Sequence, residues 1–193
     1  MYENFLAAYP EDAGDEARHA TGYLLMEMTG GQELMALGAG KSFGGGIVRI
    51  HDVDQSRRAA ILIGEAFPEY RDRIVPFAKD WLGRQFAVPA RNGTPIAGQI
   101  LFIEPGSGDA FVIDATLVDL LDREMVEDPD TFLAADLFSE WRLGNSEQIA
   151  AEKCVGFKVP LFLGGQGAVD NLEVSDEEVY WSLFGQLRSQ VKG

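Results

Sequence analysis

The sequence has few cysteine and histidine residues, which many catalytic and metal sites use. It contains one cysteine, Cys154, which excludes an internal disulfide, and two histidines, His19 and His51. No apolar run approaches the roughly 18 residues that a membrane helix needs. The acidic stretch MYENFLAAYPEDAGDE lacks the basic region of a secretory signal. Without an export signal or a disulfide framework, the cytoplasm is the expected location.

Basic residues are also scarce. The chain has 16 lysine and arginine residues against 31 aspartate and glutamate residues, and its formal net charge is −15 at pH 7. A protein that binds nucleic acid normally carries a basic patch, so this balance argues against direct contact with nucleic acid or with an anionic membrane. It permits a basic protein partner, because complementary electric fields steer association.

The acidic residues concentrate in the second half of the chain. Residues 1–108 hold 14 acids and 10 bases, whereas residues 109–193 hold 17 acids and 6 bases. Residues 109–140, here named the acidic segment, hold ten acids and one base, Arg123. Two interpretations stay open: a solvated helical face that aids solubility, or a docking surface for a cationic partner. The candidate partner-binding residues are Asp114, Asp119, Asp122, Glu124, Glu127, Asp128, Asp130 and Asp136.

If the acidic segment is a docking surface, its charge should control the rate of association. Reversing Asp119, Asp122 and Glu127 to lysine is then expected to slow binding to the partner. Unchanged association at low salt would remove these three residues from the interface.

The glycine-rich stretch LGAGKSFGGGIVRIHD, residues 37–52, contains Gly-Lys-Ser and invites comparison with a phosphate-binding loop. The pattern G-x-x-x-x-G-K-[ST] requires a glycine at position 35, where the chain has Met35. The flanking segments have the patterns of a helix and then a strand, whereas a phosphate loop follows a strand and opens a helix. We therefore predict a flexible helix-to-strand joint rather than a nucleotide site.

The remaining candidates for chemistry are weak. His51 stands in HDVD with Asp52 and Asp54, but this spacing is more typical of a turn with a helix N-cap than of a metal site. Cys154 stands in KCVGFKVP, which has the pattern of a buried strand, and buried cysteines are usually inert. The serines lack a G-x-S-x-G elbow. We therefore predict no catalytic, metal or cofactor site and a protein that acts through its surface.

Periodicity in the first half of the chain predicts short helices and an antiparallel sheet. YENFLAA and GYLLMEM are predicted to form helices, GGIVRIHD a strand, and QSRRAAILIGEAF a helix that Asp54 caps. Four short apolar runs between positions 73 and 114 have turn residues between them, at the spacing of an antiparallel meander. GQILFIEP is expected in the interior of that sheet, because its alternation is poor.

The second half is predicted to be mainly helical, which gives an α+β class overall. Helices are expected over residues 117–125 and 134–141, separated at Pro129, with Gly144 ending the second. In the last helix, Ser175 and Glu178 form a capping-box pattern. The predicted apolar face of that helix contains Tyr180, Leu183, Phe184, Leu187 and Val191.

Four segments carry a resemblance to a known family. They are SFGGGIVRIH, FPEYRDRIVPFAKDWLGRQFAV, ILFIEPGSGDAFVID and CVGFKVPLFLGGQGAVDNLEVSDEEVYW, within residues 30–190, and the most specific block runs from Phe162–Gly165 to Val179–Trp181. They resemble immunity proteins that guard bacteria against DNase toxins of type VI secretion systems. These proteins have a GAD-like N-terminal part and a second C-terminal part, and they look like members of the SMI/KNR-related (SUKH) group.

The resemblance implies a SUKH-like α+β fold with an antiparallel or mixed central sheet flanked by helices. It implies a GAD-like part over residues 1–105 and an immunity-type part over residues 106–193, packed as one compact unit. It further implies a non-catalytic cytoplasmic protein, without a cofactor, that binds and neutralises a cognate toxin, a type VI DNase. In its most specific block, Gly164 and Gly165 suit a close backbone approach, and Val179, Tyr180 and Trp181 suit a docked helix.

Two other functions stay open at this point. The first is a general interaction or regulatory module of the same superfamily, with an endogenous partner. The second is an enzyme or small-ligand binder, which predicts a concave pocket near the 38–46 loop, with convergent polar groups and perturbed pKa values.

Overall fold

The computed structural model describes residues 1–14 and 24–192 and confirms the α+β class. The helices are α1 (Glu3–Ala8), α2 (Gly31–Gly38), α3 (Val53–Ala66), α4 (Leu117–Asp119), α5 (Met125–Glu127), α6 (Pro129–Leu133), α7 (Ala135–Gly144) and α8 (Glu177–Lys192). The strands are β1 (Ser42–Phe43), β2 (Val48–Ile50), β3 (Ile74–Asp80), β4 (Gln85–Arg91), β5 (Thr94–Pro95), β6 (Ile100–Glu104), β7 (Asp109–Ile113), β8 (Lys153–Phe157) and β9 (Leu172–Asp176). Short 3-10 helices occupy Leu24–Glu27, Pro68–Tyr70, Leu161–Leu163 and Val169–Asn171, and a π-helical segment, Leu120–Glu124, joins α4 to α5.

Two sequence predictions fall partly or wholly outside the described residues. His19 lies outside them, as do the first two residues of the predicted helix GYLLMEM. The rest of that segment contains the 3-10 helix Leu24–Glu27, so the prediction of an α-helix is wrong there.

The predicted meander forms one antiparallel sheet in the order β1-β2-β3-β4-β6-β7, and β5 pairs with the end of β4. β6 lies between β4 and β7, and its first four residues are buried, which confirms the interior position of GQILFIEP. All seven residues of β3 are buried, including Lys79, which lies opposite Gln85 of β4. β8 and β9 form a separate two-stranded antiparallel sheet.

The glycine-rich stretch is the predicted joint between helix α2 and strands β1 and β2. Gly40, Gly44, Gly45 and Gly46 all have positive φ, between 65° and 90°. Residues with a Cβ rarely adopt this conformation, so the tight return from β1 to β2 depends on glycine. No helix follows the Gly-Lys-Ser triplet directly, and the arrangement of a phosphate loop is absent from this described stretch.

Helix α3 begins two residues earlier than the sequence predicted. The Asp52 side chain, not that of Asp54, accepts from Gln55 N at 2.7 Å, and Gln55 Oε1 accepts from Asp52 N at 2.9 Å. This reciprocal capping box requires extended backbone at the cap, which Asp52 has with φ −77° and ψ 178°. Asp54 instead lies in the first turn and pairs with Arg57 at 3.5 Å.

The start and the apolar face of α8 also differ from the prediction. Asp176 Oδ1, rather than Ser175, accepts from Glu178 N at 3.1 Å and from Val179 N at 3.2 Å. Leu183 and Val191 are 50% and 57% exposed, so their assignment to the buried face was wrong. The buried face contains Tyr180, Trp181 and Phe184. Packing decides this face: the Trp181 ring centroid lies 6.1 Å from that of Phe67, and the Tyr180 ring centroid lies 4.2 Å from that of Phe184.

Several contacts join residues on the two sides of the expected boundary at residue 105. The Trp181 indole nitrogen donates to Gly83 O at 3.0 Å, and the Arg188 guanidinium donates to Ala66 O at 3.1 Å. Buried apolar side chains from both sides belong to one cluster. The boundary itself stays a prediction.

The first helix is part of the core although it lies outside the segments that carry the resemblance. Tyr2 and Phe5 are fully buried, and the Tyr9 hydroxyl donates to Met125 O at 2.6 Å. Among the described residues, helices long and apolar enough to cross a membrane are absent.

Candidate functional site

Two of the candidate acids in the acidic segment are helix caps. Asp119 Oδ2 accepts from the Thr116 hydroxyl at 2.7 Å, and Asp119 Oδ1 lies 3.2 Å from Arg123 Nη1. The Thr116 hydrogen bonds hold the pKa of Asp119 below its usual value, with a smaller contribution from Arg123. Asp122 Oδ1 accepts from Phe5 N at 3.0 Å, which satisfies a backbone donor at the start of α1. Asp119 therefore stabilises the start of its own helix, whereas Asp122 links the π-helical segment to α1.

Three more candidates make local bonds on the surface. Glu124 Oε1 lies 2.7 Å from Arg123 Nη2. Asp128 Oδ1 accepts from Thr131 N at 3.2 Å and caps α6, and Asp130 Oδ1 accepts from Asp136 N at 3.1 Å. These bonds order the turns between the short helices of the acidic segment.

The other three candidates, Asp114, Glu127 and Asp136, have exposed side chains. Their carboxylates form no hydrogen bond and no ion pair with other described residues. They are therefore the acids of the eight that a partner can neutralise without breaking a bond of the fold. The assignment of the acidic segment to partner binding stays a prediction.

Replacing Asp122 with alanine is expected to lower the free energy of unfolding by about 1 kcal/mol, the usual cost of losing a helix cap. α1 has no alternative cap, because Tyr2 at its N-cap position makes no side-chain hydrogen bond to the helix. Urea denaturation followed by circular dichroism measures the change. The matched control is Glu127→Ala, an exposed acid five residues later, expected within about 0.5 kcal/mol of wild type. Equal stability of the two variants would show that Asp122 has no capping role.

A buried polar network lies apart from the acidic segment, where β3 and β4 meet α8. Lys79 Nζ forms an ion pair with Glu177 Oε2 at 2.6 Å, with side chains 5% and 13% exposed. The same ammonium donates to Ala151 O at 2.8 Å and to Lys153 O at 3.1 Å. A buried charge requires such partners, because desolvation otherwise costs several kcal/mol.

The network continues to a buried histidine. Gln85 Nε2 donates to Glu177 Oε1 at 2.8 Å, and the Gln85 side-chain oxygen lies 2.8 Å from His51 Nε2. Since the oxygen of Gln85 is an acceptor, His51 Nε2 carries the proton, and Nδ1 then carries a lone pair. Burial lowers the pKa of His51 to about 3, so the ring is neutral at physiological pH. Nδ1 is buried and has no hydrogen-bond partner among the described residues.

His51 lines a cavity of about 330 Å³, here named the His51 cavity. Its lining residues are His51, Gln55, Arg58, Ala59, Leu62, Ala151, Glu152, Asp176, Glu177 and Glu178. Four carboxylates and one guanidinium therefore surround it. The enzyme or small-ligand alternative predicted a concave polar pocket near the 38–46 loop, but the pocket that Ser42 and Gly46 line holds only about 10 Å³.

A second buried ion pair closes the turn between β3 and β4. Arg84 Nε lies 2.5 Å from Asp80 Oδ2, its guanidinium stacks 4.8 Å from the centre of the Phe102 ring, and Nη2 donates to Phe132 O at 3.2 Å. Burial raises the pKa of Asp80 to about 6, although Arg84 opposes the shift. This pair connects the sheet to α6 and contributes no group to the His51 cavity.

The other sequence candidates have structural surroundings. The HDVD stretch forms a turn with a helix N-cap, as predicted, but the capping residue is Asp52 rather than Asp54. Cys154 is buried in β8, and burial raises the pKa of its thiol, which disfavours the reactive thiolate. Over residues 1–14 and 24–192, no group of three or more histidine, cysteine, aspartate or glutamate side chains is arranged to hold a metal ion.

The specific block of the resemblance also has a structural basis. A Cβ at Gly165 would lie 2.0 Å from Val159 O, so the backbone approaches too closely for any other residue. Gly164 has φ +90° and open space around it, so its requirement is conformational rather than steric. Tyr180 and Trp181 dock α8, whereas Val179 is 64% exposed and does not.

Comparison with known proteins finds a family match over part of the chain and a structural similarity over most of it. Residues 118–188 match the family described as type VI secretion system (T6SS) immunity protein Tdi1, C-terminal. The crystal structure of Atu4351 from Agrobacterium tumefaciens is similar, with a TM-score of 0.63 and 14% sequence identity, over 96% of this chain and 89% of that chain. No curated protein matches the chain. The match supports a relation to type VI secretion immunity proteins, and the structural similarity supports the fold.

Proposed function

We propose that this chain is a non-catalytic immunity protein that binds and neutralises a cognate type VI secretion toxin in the cytoplasm. The match of residues 118–188 to a type VI immunity family carries the proposal. The matched range includes most of the acidic segment and the first turn of α8, which supplies Glu177 to the buried network. No cofactor and no nucleic acid are required for this activity.

We further propose that the toxin is a DNase, for which the charge of the chain gives physical support. A DNase must carry a basic groove for phosphates, and this chain has a net charge of −15. Exposed acids accelerate association with a basic surface, while buried anchors set the dissociation rate. Asp114, Glu127 and Asp136 are the acids of the segment best placed to steer the toxin.

A rescue experiment tests the proposal. The open reading frame beside this gene is expressed alone and together with this protein, and survival and genomic DNA integrity are followed. We expect toxicity with DNA degradation, relief on co-expression, and a stable complex on size-exclusion chromatography. Toxicity without DNA damage would reject the DNase assignment alone. A harmless neighbour and no complex would reject the immunity function and favour a regulatory module with another partner.

Reversing Asp114, Glu127 and Asp136 together to lysine is expected to slow association with the toxin by about tenfold or more at low salt. This set replaces the reversal of Asp119, Asp122 and Glu127, because Asp119 and Asp122 cap helices and their loss would also change stability. Association rates are measured by stopped-flow fluorescence at about 20 and 200 mM salt, since screening weakens steering over that range.

The control reverses three exposed acids elsewhere, Glu65, Asp170 and Glu173, and changes the net charge by the same amount. We expect a smaller effect, because steering depends on the charges nearest to the contact. Equal slowing by both triple variants would show that only net charge matters and would remove the acidic segment from the interface.

A further inference from the structure

We infer that the His51 cavity is the receptor for one guanidinium or ammonium group, supplied by an arginine or lysine side chain of the toxin. The inference rests on the proposed immunity function for the source of that group. The cavity lies outside the acidic segment, so this would be a second contact of a different kind: a single buried anchor rather than a steering surface.

The first argument is the unpaired acceptor. His51 is 2% exposed, its Nε2 is held by Gln85, and Gln85 does not line the cavity. His51 is one of the residues that line the cavity, and Nδ1 is its one polar side-chain atom without a hydrogen-bond partner among the described residues. Because Nε2 carries the proton, Nδ1 needs a donor. Lysine and arginine side chains are donors without acceptors, so they complement this atom.

The second argument is the charge around the opening. Glu177 is neutralised by Lys79, and Asp176 caps α8 while its second oxygen lies 3.8 Å from Lys153. Glu152 and Glu178 have exposed side chains, and their carboxylates form no bond with other described residues. A cation that enters the cavity would meet these two carboxylates at its rim.

Arg58 is the one cation of the lining, and it is exposed to solvent. Two unpaired carboxylates outnumber it, so the opening favours a cation over an anion. At about 330 Å³, the cavity is at the small end of the range for ligand sites, which suits a single side chain better than a cofactor. Arginine is also enriched among the side chains that anchor protein interfaces in pockets.

Titration with N-acetyl-L-arginine amide tests the cavity without the toxin. The full chain is labelled with 15N-histidine, and the ring nitrogens are followed by NMR, with His19 as the second histidine of the chain. We expect a saturable shift of the His51 Nδ1 resonance with a dissociation constant of about 1 mM, since the probe has few atoms. N-acetyl-L-citrulline amide has nearly the same shape without the charge and should bind at least tenfold more weakly.

The double variant Glu152→Gln/Glu178→Gln should weaken arginine binding by about tenfold, because it removes two exposed charges without opening the buried network. Glu65→Gln/Glu173→Gln is the matched control and should bind as wild type. No shift of His51, equal binding of the arginine and citrulline probes, or equal loss in both double variants would overturn the inference.

The same variants are then tested with the toxin. We expect Glu152→Gln/Glu178→Gln to raise the dissociation rate of the complex about tenfold and the control pair to leave it unchanged. If the protein binds arginine but the double variant leaves the dissociation rate of the toxin complex unchanged, the assignment to a toxin side chain is wrong. If wild type forms no toxin complex, the immunity function fails, while the arginine titration still decides what the cavity binds.

Discussion

Replacing Trp181 with alanine is expected to lower the free energy of unfolding by about 3–5 kcal/mol, the range for deleting a buried aromatic side chain. Trp181 is fully buried, and its ring centroid lies 6.1 Å from that of Phe67. Its indole nitrogen donates to Gly83 O, so the substitution also leaves a buried carbonyl without its partner. Urea denaturation of the purified variant, monitored by circular dichroism, measures the change.

The control for this prediction lies two residues earlier on the same helix. Val179 is 64% exposed, and Val179→Ala should change the free energy of unfolding by no more than about 0.5 kcal/mol. A loss below about 1 kcal/mol in Trp181→Ala would contradict the packing described here, because such a small effect is typical of surface positions. Both residues lie in the block that resembles the immunity family. Comparing the two variants therefore shows which positions of that block stabilise the fold and which are exposed on its surface.

The sequence predicted the elements that depend on local pattern. The meander, the glycine joint and the helices around Leu121 and Phe138 follow from periodicity and turn residues, which act over a few positions. Helix ends were less accurate. Asp52 and Asp176 are the caps where Asp54 and Ser175 were predicted, because several capping residues stand side by side and the backbone decides among them.

Roles that depend on distant residues could not be predicted. The eight candidate acids look equivalent in the sequence, yet Asp122 bonds to Phe5 and Asp114 to no described residue. The network of His51, Lys79 and Glu177 combines positions far apart along the chain. One indication was available: Lys79 stands inside the apolar run IVPFAKD, and a buried lysine requires an acidic partner. The sequence does not tell which acid it is.

Replacing Lys79 with methionine is expected to lower the free energy of unfolding by about 3 kcal/mol, the lower end for breaking a buried ion pair. The substitution leaves the Glu177 carboxylate with Gln85 as its remaining side-chain partner and leaves two carbonyls, of Ala151 and Lys153, without their donor. Glu177 is 13% exposed, so water relieves part of the cost. Urea denaturation measures the change.

A double-mutant cycle isolates the pair from these other losses. Glu177→Gln removes the charge and retains an acceptor for Gln85, so Lys79→Met/Glu177→Gln should cost about 2 kcal/mol less than the sum of the single variants. The exposed pair Arg57–Asp54 is the control, with side chains 72% and 70% exposed. Its cycle with Arg57→Met and Asp54→Asn should give no more than about 0.5 kcal/mol.

The size of that coupling also shows how far the position of α8 depends on the sheet. Glu177 lies on α8, within the range that matches the immunity family, whereas Lys79 lies on β3, outside it. A coupling near 2 kcal/mol would mean that the sheet fixes the first turn of α8, and with it one wall of the His51 cavity. Additive losses would mean that α8 is held by its other contacts, chiefly its aromatic face and the Arg188 hydrogen bond to Ala66 O. The cavity wall would then keep its shape without Lys79, and Lys79→Met should leave arginine binding unchanged.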